Sequence, residues 1–463
     1  MLDKDGTGHE GAFAALEALL GARLNRSQSD RELHGRDEGH FPLMPPDAVV
    51  YPETTEEVAA IVRICAEAGM PVIGWGAGTS LEGHALAVRG GVCVDFQRMA
   101  RVVEVLPEDM VAVVQPGVTR EALNQELRAT GLFFPVDPGA NASLGGMAST
   151  RASGTTAVRY GTMRANVLGL EVVLADGRII RTGTRAPKSS TGYDLTSLFV
   201  GAEGTLGLIT ELTLKLHGQP EAVSSAVCAF GDMEGAVNAV IATIQSGIPM
   251  ARIEFVDQAS AAAFNAHAGA GWADAPHLMV EFHGSEAGVA EQAERFGEIA
   301  ADFGAADFRW AVKPEERTAL WAMRHNAYRS MVAANPGCVP VTTDICVPIS
   351  RLAEAVEETA AEIAASGIPG PIVGHVGDGN FHALLLPKVG DAAQWEVAMK
   401  LAANMAERAL RLGGTVSGEH GIGMGKVKYM EAEHGQGWAV MGAIKAALDP
   451  GQVMNPGKLL KGN

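Results

Sequence analysis

The hydrophobic pattern divides the 463-residue chain into stretches of different character. As far as residue 218, short β-like runs alternate with single helices: the strand AVVYP at 48–52 precedes apolar residues at helical spacing from Val58 to Ala66. From about 221 to 412, Ala-rich helices alternate with strands such as ARIEFVD and HLMVEFHG, and the rest is rich in glycine. The pattern predicts an α+β fold of two or three domains.

A glycine-rich loop follows the second predicted strand, in VIGWGAGTSLEG at 72–83. Glycines lack a Cβ atom, so their backbone can approach a phosphate group closely. The loop departs from the fingerprint of NAD-binding folds, because Leu81 stands where the third glycine is needed. Three interpretations stay open: an NAD site, a structural turn, and a different nucleotide cradle, which the pattern favours.

Two further loops of small residues lie in the same half of the chain, at 135–163 and in VGAEGTLGLIT at 200–210. A long loop without secondary structure of its own is usually functional or disordered. Three such loops would suit one long ligand such as FAD. Close packing between strands is the alternative interpretation.

Two histidines flank a predicted turn in GHVGDGNFH at 374–382. Apolar runs on either side of Gly-Asp-Gly-Asn predict a β-hairpin. If Val376 pairs with Phe381, His375 faces His382, and directly opposed side chains have Cβ atoms ~4.5–5.5 Å apart on one face. Two imidazoles in that arrangement can share a metal ion, whereas a lone strand histidine is more often a satisfied core residue.

A glutamate and a histidine stand side by side in SGEHGIGMGK at 417–426. Glu419 offers an oxygen ligand to a metal held by two histidines, and such a set leaves positions open for substrate. His420 would then be free as a general base near neutral pH. An exposed polar loop is the alternative. Since the set contains no thiolate, Zn²⁺ or Mn²⁺ is the expected ion.

Arg324 lies in ALWAMRHNAYRSM, a predicted helix with Leu320, Met323 and Ala327 on one face. An arginine beside such a face can hold a carboxylate through two parallel hydrogen bonds. From the sequence alone, a surface salt bridge is the expected use of this side chain.

The composition of the chain excludes some classes of function and indicates a cellular compartment. The chain has 54 acidic and 36 basic residues and a formal charge of −18, which argues against a nucleic-acid partner. The five cysteines are widely spaced without a CxxC pair, which argues against disulfides or a thiolate metal site. The segment up to Ser27 resembles neither a signal nor a transit peptide, and no apolar run of ~18 residues predicts a membrane span. We expect a cytoplasmic protein that could also lie at a membrane surface.

The order of the motifs resembles one family, the FAD-linked dehydrogenases of the vanillyl-alcohol-oxidase or PCMH-type superfamily, in the branch that acts on D-2-hydroxy acids. The resemblance runs from about residue 40 to the C-terminus. It rests on these motifs in order: GAGTSLEG, VVQPGVTREALN, FPVDPGANASLGGMASTRASGTTAVRYGTM, GYDLTSLFVGAEGTLGLIT, ARIEFVD, TTDICVPISRL, GHVGDGNFH, GEHGIGMGK and NPGKLL.

The resemblance implies a domain organisation and a cofactor. Residues 1–218 would form a PCMH-type FAD-binding domain of two α+β subdomains. Residues 219–412 would form a substrate-binding cap of the FAD-linked oxidase C-terminal type, and 413–463 a segment that completes the active site and the FAD domain. His84 follows the phosphate loop, and some members of the superfamily bind FAD covalently through a histidine. We interpret His84 as a neutral substitution and predict noncovalent FAD.

The resemblance also assigns roles to individual residues. The pyrophosphate cradle would consist of Gly76, Ala77, Gly78, Thr79, Ser80 and Gly83. Further FAD contacts would come from Pro138, Gly139, Gly145, Gly146, Ser149, Ser153, Gly154, Glu203, Gly207, Ile209 and Asn455. The implied metal ligands are His375, His382 and Glu419. His420 would be the base, and Arg324 would bind the substrate carboxylate.

The implied activity is that of a flavoprotein oxidoreductase, which would oxidise D-lactate to pyruvate by metal-assisted hydride transfer to flavin N5. Electrons would pass to a cytochrome c, a quinone or an electron-transfer flavoprotein, and the chain could form a homodimer. D-2-hydroxyglutarate and glycolate are the alternative substrates. A flavin- or metal-carrying subunit of a glycolate-oxidising complex is the alternative role.

Overall fold

The computed structural model describes residues 9–311 and 313–460, and its first unit is a small sheet flanked by helices. The elements of this unit are α1 (Glu10–Leu20), β1 (Leu24–Asn25), α2 (Gln28–Leu33), β2 (Ala48–Val50), α3 (Thr55–Glu67), β3 (Val72–Trp75) and β4 (Val92–Asp95). The strand order is β1-β2-β4-β3. Both β2 and β3 run parallel to β4, because α3 crosses over the sheet between them.

The second unit is an antiparallel sheet with short helices. Its elements are β5 (Val102–Leu106), β6 (Val111–Val114), α4 (Arg120–Glu126), β7 (Leu132–Phe133), α5 (Leu144–Thr150), α6 (Ala157–Tyr160), α7 (Met163–Asn166), β8 (Val167–Val173), β9 (Ile179–Gly183), α8 (Leu195–Phe199), β10 (Leu208–Lys215) and β11 (His217–Gly218). The main sheet has the order β5-β6-β10-β8-β9, and β11 pairs with β7. The long glycine-rich stretch at 135–163 lies between β7 and β8 and holds three short helices.

The third unit is a larger antiparallel sheet with helices on both faces. Its elements are β12 (Ala222–Phe230), α9 (Met233–Gln245), β13 (Met250–Val256), α10 (Gln258–Ala268), β14 (His277–Gly284), α11 (Glu286–Asp302), β15 (Ala305–Ala311), α12 (Pro314–His325), α13 (Ala327–Ala334), β16 (Val341–Thr342), β17 (Ile345–Cys346), α14 (Leu352–Ser366), β18 (Ile372–His375), β19 (Asn380–Leu385) and α15 (Ala392–Arg411). The strand order is β15-β12-β14-β13-β18-β19-β16, with β17 also paired to β19.

Side chains along the strands of this sheet point alternately to its two faces, and each face packs in a separate hydrophobic core. Ala226 and Cys228 of β12 pack in one core with α9, α11 and α14, whereas Val227 between them packs in the other core with α10, α12 and α13. The sheet is therefore apolar on both faces, as the near-continuous hydrophobic run of β12 predicts. The expected α+β class is confirmed.

The C-terminal segment returns to the first unit. After α16 (Met430–His434) and α17 (Gln436–Leu448), Met454 forms a parallel bridge with Val72 at the start of β3. The backbone nitrogen of Val72 donates to the Val453 carbonyl at 2.8 Å, and that of Asn455 donates to the Val72 carbonyl at 2.9 Å. The end of the chain thus extends the sheet of the first unit by one short strand.

The β18–β19 hairpin forms as expected, but its predicted register is wrong. His375 pairs with Asn380, and His382 pairs with Val373. The chain turns through the 3₁₀ segment Val376–Asp378 and Gly379, so Asn380 lies opposite His375 where His382 was expected. The two histidines still share one face, because residues two apart along a strand point to the same side.

Gly379 provides a test of this turn, with Gly390 as a matched control. Both glycines have a φ of +79°, where any L-residue costs about 1–2 kcal/mol. A Cβ atom on Gly379 would lie 2.1 Å from the Val347 carbonyl oxygen, whereas none would be met within 4 Å at Gly390. We expect Gly379→Ala to lower the denaturation midpoint clearly more than Gly390→Ala does. Equal midpoints for the two variants would contradict the turn geometry.

Candidate active site

A cavity of about 590 Å³ lies where the three units and the C-terminal segment meet. This volume is within the range of ligand and cofactor sites, roughly 300–1,000 Å³. Every site residue named from the sequence lines the cavity except Gly83 and Gly154. Gly83 has a φ of +73° and donates its N–H to Asp37, and Gly154 fits tightly against Asp137. The structure therefore places these two glycines in the supporting turns.

The glycine-rich loop after β3 lines one side of the cavity with backbone. A Cβ atom on Gly76 would lie 2.2 Å from Ser143 Oγ, and one on Gly78 would lie 2.5 Å from the Trp75 ring. On the other side of the cavity, a Cβ atom on Gly139 would meet nothing within 4 Å and would extend into open space. Such a backbone-lined cradle, formed by several loops, fits a long ligand with phosphate groups.

Glu203 and Asn455 line the cavity, but their polar groups form hydrogen bonds with other parts of the protein. Glu203 accepts hydrogen bonds from the backbone nitrogens of Ile422 at 2.7 Å and Gly423 at 2.9 Å. Asn455 Nδ2 donates to the carbonyl oxygens of His84 at 2.9 Å and Glu203 at 2.7 Å. Both residues have a positive φ, so their backbones are also fixed in an unusual conformation.

His84 lies in the same wall and forms an ion pair with Glu203. Its Nε2 is 3.3 Å from Glu203 Oε1, and the residue is buried. Burial opposes a charge on the ring, but the carboxylate outweighs it, so the pKa of His84 is raised. The absence of a covalent link to FAD stays a prediction.

Two histidines and a glutamate converge at one end of the cavity. His375 Nε2 lies 3.1 Å and His382 Nε2 lies 3.3 Å from the same atom, Glu419 Oε1. The other ring nitrogens are engaged, His375 Nδ1 with Glu254 Oε1 at 2.8 Å and His382 Nδ1 with the Thr343 carbonyl at 3.1 Å. A histidine that donates through Nδ1 presents the lone pair of Nε2. The three side chains fit a divalent metal ion.

The side chains of this cluster shift one another's pKa values. Burial would raise the pKa of Glu419, but His375 and His382 hold it well below its usual range. Burial would lower the pKa of His375, but the carboxylates of Glu254 and Glu419 raise it well above its usual value. A metal ion that binds here must therefore displace a proton from the His375 ring.

Asp344 is a second carboxylate beside the cluster, and it was not recognised in the sequence. One ligand atom each of Asp344, His382 and His420 also lies within the spacing of a metal site. However, Asp344 Oδ2 already accepts hydrogen bonds from Ser417 Oγ at 2.8 Å, Glu419 N at 3.0 Å and His420 N at 2.8 Å. Oδ1 in turn accepts a hydrogen bond from Asn380 Nδ2 at 2.8 Å, so both oxygens are engaged within the protein and Asp344 positions the segment that bears Glu419 and His420.

His420 lies beside the cluster as a neutral imidazole. Its ring stacks on that of His382 with centroids 4.9 Å apart, and its Nε2 is 3.9 Å from Glu419 Oε1. Burial lowers the pKa of His420 to about 4, against the attraction of Asp344. A neutral imidazole at physiological pH can accept a proton.

Arg324 is buried in the cavity wall, so the expectation of a surface salt bridge is wrong. The last turn of α12 faces the sheet, and only 9% of the Arg324 side chain is exposed. Arg324 Nη2 forms an ion pair with Glu254 Oε2 at 2.7 Å. Nε and Nη2 are both buried without a hydrogen-bond partner among the described residues, so the contact with Glu254 is an ion pair. A buried guanidinium that lines a cavity and has N–H groups without hydrogen-bond partners among the described residues is suited to bind an anion.

The sequence contained a signal for the two carboxylates that were missed. Glu254 interrupts the apolar strand MARIEFV, and Asp344 stands in TTDIC between two short strands. An acidic residue at a buried strand position needs a charged or hydrogen-bonding partner. That signal identifies such residues as candidates, but it does not name their partners.

The fold and the cavity define a cofactor-dependent enzyme whose reactive groups lie between a nucleotide-binding part and a cap. Residues 46–183 match the family model of an FAD binding domain, and residues 219–459 match that of the C-terminal domain of FAD linked oxidases. The chain belongs to the FAD-linked oxidase family. Its cofactor is FAD, and the expected PCMH-type fold is confirmed.

Relatives and solved structures agree with this assignment. The chain is 50% identical over 435 residues to the probable mitochondrial D-lactate dehydrogenase of Danio rerio, covering 93% of this chain and 88% of the relative. It is 43% identical over 451 residues to the mitochondrial D-lactate dehydrogenase (cytochrome) of Arabidopsis thaliana, covering 97% and 80%. The structure of 4-ethylphenol oxidase from Gulosibacter chungangensis matches 99% of both chains with a TM-score of 0.81 at 19% identity, which shows a common fold.

The expected cytoplasmic location is wrong. The relatives from Danio rerio and Arabidopsis thaliana are both named as mitochondrial proteins. The expectation rested on the segment up to Ser27, the spacing of the cysteines and the lack of a long apolar run, and none of these features determines the compartment. No helix among the described residues is long and apolar enough to cross a membrane.

Asp344→Asn tests the role of the buried carboxylate. An amide has one oxygen and one NH₂ group, so in this variant the NH₂ group faces donors either at the Oδ2 position or at the Oδ1 position, where Asn380 Nδ2 donates. The charge is lost as well, and a hydrogen bond to a charged group contributes about 1.5–3 kcal/mol. We expect a clear fall in the denaturation midpoint and faster loss of bound metal to a chelator. Ser417→Ala, which removes one donor, should have a much smaller effect on both measurements. A wild-type midpoint and metal retention in Asp344→Asn would contradict the assignment.

Proposed function

We propose that this protein is an FAD-dependent D-lactate dehydrogenase, which oxidises D-lactate to pyruvate. The observation that carries the proposal is the convergence, in one cavity, of a buried arginine, a histidine–histidine–glutamate cluster and a neutral histidine. The names of the two relatives support the substrate. We propose the domain division at 218/219 and 412/413 for the same chain.

Arg324 binds the substrate carboxylate in this proposal. Its buried Nε lacks a hydrogen-bond partner among the described residues, and a carboxylate is the anion whose geometry suits a guanidinium. Apolar side chains of Met331, Val373 and Leu384 line the same cavity, and they offer a small hydrophobic wall for a methyl group. These residues orient the acid and exclude water around C2.

His420 takes the proton of the 2-hydroxyl group. We assign this role to Nε2, the ring nitrogen that faces Glu419. The ring is neutral at physiological pH because burial lowers its pKa to about 4, so it is free to accept a proton. His375, His382 and Glu419 would hold Zn²⁺ or Mn²⁺, which supplies Lewis acidity toward an alcohol oxygen. FAD, when bound, supplies the acceptor for the hydride from C2.

The electron acceptor is proposed from charge. With a formal charge of −18, the chain favours a basic protein partner such as a cytochrome c, since opposite charges steer association. An electron-transfer flavoprotein or a quinone would serve the same role.

D-2-hydroxyglutarate is a second candidate substrate, and one observation favours it. A second carboxylate needs a second cationic group, and both His325 and Arg329 line the cavity near Arg324. A longer dicarboxylic acid would extend toward Arg329 at the exposed side of the cavity.

Anaerobic bleaching of the flavin tests the proposed reaction. We expect D-lactate to bleach the oxidised flavin absorbance in the purified single chain, whereas L-lactate should not. Prior treatment with a chelator should slow the D-lactate reaction, and added Zn²⁺ or Mn²⁺ should restore it. Faster bleaching by D-2-hydroxyglutarate would assign the second candidate, and bleaching by neither acid would refute the proposal.

His420→Ala tests the base. A positioned general base contributes about 10²–10⁴-fold to a rate, so flavin reduction by D-lactate should slow by that factor while FAD stays bound. His267→Ala, at an exposed position on α10, should reduce flavin at the wild-type rate. Stopped-flow absorbance under anaerobic conditions measures both variants. A near-normal rate in His420→Ala would exclude it as the base.

A further inference from the structure

Glu254 is a buried carboxylate whose two oxygens bind two different parts of the site. It lies in β13 and is 0% exposed. Oε1 accepts a hydrogen bond from His375 Nδ1 at 2.8 Å, and Oε2 lies 2.7 Å from Arg324 Nη2. Glu254 does not line the cavity, so it reaches a ligand only through these two partners.

The position of Glu254 in the strand accounts for this double contact. Ile253 and Phe255 on either side of it point into the core with α9 and α11. Glu254 therefore points to the opposite face, toward α12, which bears Arg324, and its strand is paired with β18, which ends in His375. The Glu254 side chain thus lies between α12 of the cap and the β18–β19 hairpin that bears the two histidines.

We propose that Glu254 is the positioning residue of the active site, which sets the tautomer of His375 and the orientation of the Arg324 guanidinium together. The inference rests on the roles proposed above for His375 and Arg324. Because Glu254 accepts from His375 Nδ1, the proton stays on that nitrogen and Nε2 is left for a metal ion. Because the same carboxylate pairs with Nη2, the guanidinium is held with its Nε free.

Neutral and shortened side chains at this position should fail for different reasons. In Glu254→Gln, one amide oxygen can still accept from His375, but the NH₂ group then faces the N–H donors of Arg324. In Glu254→Asp, the charge remains, but the side chain is one methylene too short to reach both partners. Both variants keep the cavity lining unchanged, since Glu254 is not part of it.

Glu281 offers a matched control, because it is a similarly buried carboxylate on the neighbouring strand β14. It is 4% exposed, accepts from His283 Nε2 at 2.9 Å and Trp321 Nε1 at 2.6 Å, and forms an ion pair with Arg252 at 3.3 Å. It therefore resembles Glu254 in burial, charge and partners, but neither it nor His283 lines the cavity. Glu281→Gln imposes the same chemical change without touching the site.

The first measurement is metal affinity, which does not depend on the substrate. The FAD-loaded wild type, Glu254→Gln and Glu281→Gln are titrated with Zn²⁺ and with Mn²⁺ against a competing chelator. We expect Glu254→Gln to bind metal about 10–100-fold more weakly, the effect typical of losing a residue that orients a metal-bound histidine. Glu281→Gln should stay near the wild-type constant. A wild type that binds neither ion, or equal losses in both variants, would overturn the inference.

The second measurement is anion affinity at Arg324. Pyruvate is titrated into the oxidised holoenzyme, and the change in flavin absorbance gives its dissociation constant. We expect Glu254→Gln and Glu254→Asp to bind pyruvate at least tenfold more weakly, in the direction of Arg324→Lys, while Glu281→Gln binds it like the wild type. Wild-type constants for both metal and pyruvate in Glu254→Gln would overturn the inference.

Failure of the proposed function is distinguishable from failure of this inference. If D-lactate does not bleach the wild-type flavin, the substrate assignment fails, but a selective loss of metal affinity in Glu254→Gln still supports the positioning role. If Glu254→Gln does not fold, Glu254→Asp, which keeps the buried charge, tests the inference instead. Its dissociation constants for metal and for pyruvate are measured in the same way.

Discussion

The active site depends on two buried carboxylates that hold one returning segment by its backbone. Asp344, from the cap sheet, accepts from Ser417 and from the backbone nitrogens of Glu419 and His420. Glu203, from the FAD-binding half, accepts from the backbone nitrogens two and three residues further on. The segment is thus fixed to both halves of the molecule within a few residues. This fixation brings Glu419 to the hairpin histidines and leaves His420 beside the cavity.

This arrangement buries the charged carboxylates away from water. The direction of their pKa shifts shows that neighbouring groups keep them ionised. Burial opposes ionisation of Asp344, but nearby cationic groups, Lys426 among them, hold its pKa well below the usual range. Glu203 is kept ionised in the same way by His84 and by its two backbone donors. Buried ion pairs of this kind are rarely a net source of stability. Their presence here is therefore best explained by the positions that they fix.

The sequence predicted the parts of the site that lie close together along the chain. The turn residues between His375 and His382 were enough to place both histidines on one face, even though the predicted register was wrong. The loop contains a 3₁₀ turn, and Gly377 within it packs so closely that a Cβ atom there would lie 2.6 Å from Ile253, which is far away in the sequence. The local sequence indicates where the chain turns, but it does not indicate this long-range packing.

Of the long-range pairings, the sequence predicted Glu419 with the hairpin histidines but not the buried partner of Arg324. Arg324 follows the helical pattern of an amphipathic surface helix, and only the docking of α12 on the sheet buries it next to Glu254. The five side chains of the site come from β18, β19, α12 and the returning segment, so the site exists only when all four have docked. The end of the chain is itself paired with β3, where Met454 bridges Val72. The segment that follows the cap therefore contributes both to the FAD-binding half and to the reactive groups, because it bears Glu419 and His420 as well as Met454.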